Sequence, residues 1–393
     1  MKNGPLTFVV DKICLVYNAN NELIDLKYMK LKWLILIFLF HWESNASPLQ
    51  VSFIVPDKEV NLFWQQVIEV AQSVADDLNI QLEVHLSDTN RFSTLSSVNA
   101  VSQQKNKPDY IIYRPMQGNA VAVLDLLESR KIPFVTLERG FRDTEAIEIG
   151  KPQQKYKHWL GAVSYDDKAA GALLTSALYK QHLKNNPLKK MYVTGISGAF
   201  DRVSLARQSS LEKLYKNSGN IVVNQVFPMS WELKNVKENF PAMYHRYPNT
   251  DAYWCVADLF CLTVIEQLKI LGSTPDKKVL VGGFDWLPPA IDKIQTGEMT
   301  ASVGGHFLMV SKALLNIVEY HHANNVFLTN TELESYELID QNNVDVYQPF
   351  LKKAAWSEVD YRQFSSIYNK QKKPIELSIA NLMIAHSRLN KNE

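Results

Sequence analysis

From residue 49 onwards, short apolar runs alternate with longer segments whose apolar residues recur every three or four positions. LQVSFIV (49–55) is a continuous apolar run typical of a buried strand, and FWQQVIEVAQSVADDL (63–78) follows it with helical spacing. The alternation restarts at KKMYVTGI (189–196) and continues to about residue 322. Strands separated by helices of this length indicate βαβ units. The pattern therefore predicts an α/β fold of two doubly wound parallel-sheet lobes, joined by a hinge, with a ligand cleft between them.

The N-terminal region has a different pattern. Lys30 and Lys32 precede an unbroken apolar run from Trp33 to Phe40, and the small residues Ser44 and Ala46 follow it. This order is typical of a secretory signal peptide, and the run is shorter than the ~20 residues that span a bilayer. A buried core element is the alternative. We predict a signal peptide at 29–46, a start-site extension at 1–28, and a periplasmic mature protein.

Composition and motif content argue against nucleic-acid binding, cofactor use and catalysis. Charged residues make up 21% of the chain and the formal net charge is +1, so we expect a packed globular protein without a broad surface for nucleic acid. The sequence has no glycine-rich phosphate loop, no G-x-S-x-G elbow and no H-E-x-x-H motif. We therefore expect no cofactor, no metal and no catalysis. Cys255 and Cys261 could be two buried thiols or one disulfide.

Charged and aromatic residues follow the predicted strands. In open parallel sheets, ligands bind beyond the carboxyl ends of the strands, so these residues should meet in one cleft. Arginine and carboxylate groups bind vicinal hydroxyls, and aromatic faces cover the apolar side of a sugar ring. The predicted ligand-binding residues are Phe63, Trp64, Arg114, Glu138, Arg139, Arg207, Asp258, Asp285 and His306. If these side chains face an open, wet cleft, replacing Arg139 or Arg207 should remove binding without changing stability much.

Each of these residues also has a structural interpretation. Asp258 could cap the helix that it begins, and Phe63 and Trp64 could be core residues of theirs. Arg114 could pair with Glu138, or it could meet an acidic group on the ligand. The sequence leaves these alternatives open.

Seven landmarks follow one another between about residue 50 and about residue 322. They are VSFIVP followed by FW, PDYIIYRP, IPFVTLER, LGAVSYDDKAAG, the R-x-x-x-L of Arg207 to Leu211, YPNTDAYWCVAD, and VLVGGFD with PAIDKIQTGEMTASV. In their order and spacing the chain resembles the type I periplasmic sugar-binding proteins, the family of the ribose- and galactose-binding proteins. The resemblance implies that Phe63 and Trp64 stack on a sugar. It also implies that Glu138, Arg139, Arg207 and Asp285 bind the sugar hydroxyls.

The resemblance further implies a monomer whose chain passes three times between the lobes. The first lobe would hold 49–163 and 306–333, and the second 164–305 with the tail 334–393. The expected partner is an ABC permease that imports the ligand, or alternatively a periplasmic sensor-kinase or chemoreceptor domain. Glu138 stands where the family usually has aspartate, and Arg114 where it usually has a small polar residue. These departures indicate a ligand other than the simple sugars best known in the family.

Overall fold

The computed structural model describes residues 8–10, 13–17, 23–24, 47–57, 59, 61–88, 90–138, 141, 143–272, 279–323, 334–369 and 375–389. Residues 1–48 and 49–393 are two separate compact units. In the first unit, β1 (Phe8–Val10), β2 (Ile13–Tyr17) and β3 (Leu23–Ile24) form an antiparallel sheet. The predicted signal peptide at 29–46 lies outside the described residues. No helix in the described ranges has the length and apolarity needed to cross a membrane.

The first lobe of the second unit is built on a five-stranded parallel sheet. Its strands are β4 (Leu49–Val55), β5 (Ile80–Leu86), β6 (Tyr110–Tyr113), β7 (Phe134–Leu137) and β8 (Trp159–Val163), in the order β5-β4-β6-β7-β8. Its helices are α1 (Leu62–Asp77), α2 (Arg91–Ser102), α3 (Ala120–Arg130) and α4 (Asp143–Ile149). All residues of β6, β7 and β8 are buried, as expected where helices cover both faces of a sheet.

The second lobe repeats this plan on a six-stranded sheet. Its strands are β9 (Met191–Ser197), β10 (Ile221–Pro228), β11 (Ala252–Cys255), β12 (Leu280–Phe284), β13 (Ala301–Gly304) and β14 (Glu337–Asp340). Their order is β10-β9-β11-β12-β13-β14, and only β14 is antiparallel to its neighbour. Its helices are α5 (Asp167–Asn185), α6 (Arg202–Ser218), α7 (Leu233–Arg246), α8 (Asp258–Ile270) and α9 (Pro288–Gln295). The predicted α/β fold with two parallel-sheet lobes is confirmed.

The chain passes between the two sheets at three places. The first crossing, 164–166, leads from β8 to α5, and the second, 305–308, leads from β13 to α10 (Met309–Ala323). α10 packs on the first lobe, where the Tyr110 hydroxyl lies 3.1 Å from His321 Nδ1. The third crossing, 334–336, returns the chain to β14. The first and third crossings run side by side, because Asp166 N donates to the Glu334 carbonyl at 2.9 Å and Glu334 N donates to the Ser164 carbonyl at 2.8 Å.

The C-terminal tail requires a correction to the predicted lobes. It was assigned as a whole to the second lobe, and α11 (Val344–Lys353) does pack there, with Lys352 3.2 Å from Asp292. Residues 356–369 instead lie against the first lobe. Tyr361 N donates to Asp77 Oδ2 at 2.7 Å, next to the end of α1, and Ser365 Oγ donates to Glu319 Oε1 at 2.7 Å. The tail is therefore divided between the lobes and adds a fourth crossing, before α12 (Ile379–Leu389).

Candidate functional site

The first turn of α1 places two predicted aromatic residues next to the ends of the first-lobe strands. The side-chain oxygen of Asn61 caps this helix, accepting from Phe63 N at 3.0 Å and Trp64 N at 3.2 Å. Trp64 is only 8% exposed and packs on Phe53 in the core, with ring centroids 6.3 Å apart. Phe63 is half-buried and stacks on His306, with ring centroids 4.8 Å apart and an interplanar angle of 26°. Phe63 thus lies among the site residues, whereas Trp64 has the packing of a core residue.

Arg114 forms an ion pair with Glu138. Arg114 Nε lies 2.5 Å from Glu138 Oε2, and the two side chains are 21% and 13% exposed. Burial lowers the pKa of Arg114, but Glu138 and then Asp201 of the second lobe outweigh it, and the pKa rises above its ordinary value. This contact is the one that the pairing alternative predicts. The neighbouring predicted residue, Arg139, lies outside the described residues.

Arg207 is a buried charge whose donors are taken by protein groups. Its side chain is 3% exposed. Nε donates to Asp167 Oδ1 at 2.9 Å, Nη1 donates to the Val256 carbonyl at 2.9 Å, and Nη2 donates to the Tyr336 hydroxyl at 3.0 Å. Nη2 also lies 3.3 Å from His306 Nε2. Burial alone would lower the pKa of Arg207, but its acidic and phenolic neighbours raise it, so the guanidinium stays charged.

Sequence reasoning missed two partners of this arginine, Asp167 and Tyr336. The Tyr336 hydroxyl donates to Asp167 Oδ1 at 2.7 Å, so the same oxygen accepts from both Arg207 and Tyr336. Asp167 begins α5, shortly after β8, so the strand-end rule applied to that strand would have found it. Tyr336 comes from the third crossing, in a stretch without a strand–helix pattern, and no local signal marks it.

Asp285 is held in a strained corner at the end of β12. Its φ of +115° and the φ of +60° at Trp286 lie in the left-handed region that non-glycine residues avoid. The buried indole of Trp286 fixes the corner, since its Nε1 donates to the Ser302 carbonyl at 3.0 Å. Asp285 Oδ1 then lies 3.3 Å from His306 Nε2 and 4.0 Å from Arg207 Nη1. This geometry brings Asp285, Arg207 and His306 together.

Asp258, predicted to bind the ligand or to cap its helix, lies in the core instead. It is fully buried, and Ala257 rather than Asp258 is the N-cap of α8. Its Oδ2 accepts from Leu287 N at 3.1 Å, and the Ser302 hydroxyl lies 2.9 Å from both carboxylate oxygens. Burial and, after it, the charge of Asp285 raise its pKa well above 3.8. The side chain supports the Asp285 corner from the core.

We expect Asp258→Ala to lower the free energy of unfolding by about 1–3 kcal/mol, because the Leu287 N–H and the Ser302 hydroxyl lose a buried partner. Asp258→Asn should keep both hydrogen bonds. A pKa raised in the folded state makes a contribution that is complete below the unfolded value and lost as pH rises through the folded value. The wild type should therefore lose stability relative to the asparagine variant as pH rises above the ordinary aspartate pKa of 3.8. Urea unfolding of both proteins across this range tests it, and parallel curves would contradict it.

A further aromatic residue that the sequence interpretation missed lies after β10. Trp231 is 39% exposed, and its Nε1 donates to Asp201 Oδ2 at 2.6 Å. The indole lies directly on Gly198, where a Cβ would come within 2.3 Å of it, so this position requires glycine. Because Asp201 acts on the pKa of Arg114 in the first lobe, Trp231 lies on the side of the second lobe that faces the first.

Comparisons with known proteins agree with this architecture. Residues 51–322 match the family described as the periplasmic binding protein domain. The galactofuranose-binding protein YtfQ of Escherichia coli (strain K12) is 24% identical over 265 residues, covering 66% of this chain and 77% of that protein. The D-allose-binding periplasmic protein of the same organism is 29% identical over 98 residues, which are 25% of this chain and only 31% of that protein.

A solved structure shows the same fold. It is an ABC transporter periplasmic solute-binding protein from Actinobacillus succinogenes 130z with bound D-allose, at 18% identity and a TM-score of 0.64. The similarity covers 76% of this chain and 100% of that one. The two parallel-sheet lobes and the match over most of the chain lead to one conclusion: the protein belongs to the periplasmic binding protein domain family.

Proposed function

We propose that the protein captures a neutral sugar in the cleft between its lobes, without catalysis, and delivers it as a monomer to an ABC transporter. The lobes would close on the ligand by rotation about the crossings. The names of the relatives, which bind galactofuranose and D-allose, support the ligand class. The observation that carries the proposal is a pair of arginine–carboxylate ion pairs, Arg114–Glu138 and Arg207–Asp167, close enough that Glu138 acts on the pKa of Asp167. Phe63 stacks on His306, which contacts Arg207.

His306 supports a ligand at this place. Its Nδ1 is buried, and among the described residues it has no hydrogen-bond partner. A buried polar atom without a partner costs about 1–3 kcal/mol, and a ligand hydroxyl beside it would remove this cost. Phe63, whose ring stacks on His306, would contribute the apolar contact that sugar rings prefer. We include Trp231, the exposed indole of the second lobe, among the proposed ligand contacts.

The charge balance of the described site residues favours a neutral ligand over a sugar acid. Arg114 is paired with Glu138 and Arg207 with Asp167, so neither cation is left over. Asp285 and Asp201 add two further carboxylates on the second lobe. An additional carboxylate on the ligand would be desolvated among like charges, which is unfavourable.

Thermal-shift measurements on residues 47–393 test the ligand class. A neutral sugar that binds should raise the melting temperature, because a ligand at 100 times its Kd stabilises the folded state by about 2.7 kcal/mol. In matched pairs such as galactose and galacturonate, we expect the acid to bind at least ~10-fold more weakly, a difference of about 1.4 kcal/mol. Arg114→Met should weaken binding of the neutral sugar, since it leaves Glu138 unpaired. Equal or tighter binding of the acid would contradict the neutral-ligand proposal.

We also propose that the segment 29–46 directs export and is removed after Ala46. The apolar run after Lys30 and Lys32 and the small residues at 44 and 46 support this. N-terminal sequencing of the protein from its native host should then begin near Ser47. An intact Met1 terminus on cytoplasmic protein would contradict export and, with it, delivery to a permease.

A further inference from the structure

Each of the first three crossings, those at 164–166, 305–308 and 334–336, brings one aromatic ring to the same point. Tyr165 comes from the first, His306 from the second and Tyr336 from the third, and we call these three residues the hinge cluster. Ring centroids lie 5.2 Å apart for Tyr165 and Tyr336, 4.9 Å for His306 and Tyr336, and 6.1 Å for Tyr165 and His306. The Tyr165 hydroxyl also reaches the Gly305 carbonyl of the second crossing at 3.5 Å. The crossings are thus packed against each other.

Arg207, on the second lobe, contacts this cluster. Its Nη2 donates to the Tyr336 hydroxyl and lies 3.3 Å from His306 Nε2, while its Nε donates to Asp167, just after the first crossing. One side chain therefore contacts residues at or beside all three crossings. The same side chain belongs to the proposed ligand site, so ligand binding and lobe arrangement share a common group.

Tyr336 is the member of the hinge cluster that hydrogen-bonds to both Arg207 and Asp167. Its hydroxyl accepts from Arg207 Nη2 at 3.0 Å and donates to Asp167 Oδ1 at 2.7 Å, so both of its hydrogen-bonding roles are used by charged partners. Burial raises the pKa of this phenol well above 10, which keeps the donor proton in place. Hydrogen bonds to charged groups are stronger than those between neutral groups.

We propose that the Tyr336 hydroxyl is a positioning group that locks the third crossing onto Arg207 and Asp167, and so sets the arrangement of the two lobes in the ligand-free protein. The inference rests on the proposed lobe closure, and it adds a residue and a mechanism to it. Without the hydroxyl, the ring of Tyr336 can still pack on His306 and Tyr165, but the third crossing loses its polar link to the ligand site. The lobes should then sample other arrangements.

The experiment measures the distance between the lobes in the ligand-free, full-length chain. Cys14 is replaced by serine in all samples so that it takes no label. Lys107→Cys on the first lobe and Lys237→Cys on the second are exposed attachment points for spin labels, whereas the native Cys255 and Cys261 are buried. The labelled parent should show one dominant distance. In Tyr336→Phe, we expect the fraction of molecules at other distances to rise at least about threefold, because two hydrogen bonds to charged groups are lost.

Tyr368→Phe is the matched control. It removes a tyrosine hydroxyl from the same tail, one that donates to the Leu78 carbonyl at 2.9 Å within the first lobe, away from the crossings. Its distance distribution should equal that of the parent. An unchanged distribution in Tyr336→Phe, or an equal change in both variants, would overturn the inference. A single distance that D-allose, D-galactose and denaturant below the unfolding transition all leave unchanged would instead show that the lobes do not move, which contradicts the proposed closure itself.

Discussion

We expect Arg207→Met to lower the free energy of unfolding of the ligand-free protein by about 3–5 kcal/mol and to abolish sugar binding. The guanidinium is nearly inaccessible to solvent, and it is the charged partner of Asp167. Removing one member of a buried pair leaves the other as an uncompensated buried charge. Tyr336 and the Val256 carbonyl would lose a donor as well.

Urea unfolding followed by circular dichroism measures this effect. Arg202→Met is a suitable control, because Arg202 begins the same helix, α6, and its side chain is exposed, so its effect should stay within about 0.5 kcal/mol. The double variant Arg207→Met, Asp167→Asn should lose less than the sum of its single variants, since the second change removes the unpaired charge. If Arg207→Met unfolds at the wild-type urea concentration, the pair has no structural role.

The large loss of stability expected for Arg207→Met reverses the sequence-based expectation that replacing Arg207 would change stability little. The strand-end rule correctly places Arg207 and Asp285 at a common edge, because it depends on local periodicity and on the geometry of parallel sheets. It treats that edge as open and wet, since arginine is rarely buried. The burial of Arg207 arises from groups far away in sequence, with His306 99 residues and Tyr336 129 residues from it. Contacts between residues so far apart in sequence cannot be predicted from a local pattern.

The same limit explains why the sequence pattern did not predict β14 or the burial of the tail. A buried parallel strand is a continuous apolar run, which is why β6 and β7 are recognisable from the sequence. β14 is an antiparallel edge strand in which only Ile339 is buried, so its sequence reads as mixed and polar. In its described part, the tail after α11 contains two short 3-10 helices, Trp356–Glu358 and Tyr361–Phe364, whose few apolar residues show no period. These residues are buried by tertiary contacts with the folded lobes, which a local sequence pattern does not show.

We expect truncation after Lys353 to prevent cooperative folding, although the family match ends at residue 322. The removed segment buries large side chains on the body of the protein, namely Trp356, Val359, Tyr361, Phe364, Leu377, Ile379 and Leu382. Burying one such side chain contributes about 1.5–3 kcal/mol. The loss of several would equal or exceed the 5–15 kcal/mol by which proteins of ordinary stability fold.

The tail also lies next to the proposed site. Trp356 packs on Phe307, with ring centroids 5.5 Å apart, and Phe307 directly follows His306 of the hinge cluster. Trp356→Ala should therefore cost about 3–5 kcal/mol, while Ile384→Ala, at an exposed position of α12, should cost less than about 1 kcal/mol. Calorimetry of the truncated chain and of both point variants tests this. A truncated protein that still unfolds cooperatively near the wild-type temperature, and binds the same sugar, would show that the residues beyond α11 are an appendage rather than part of the two-lobed core.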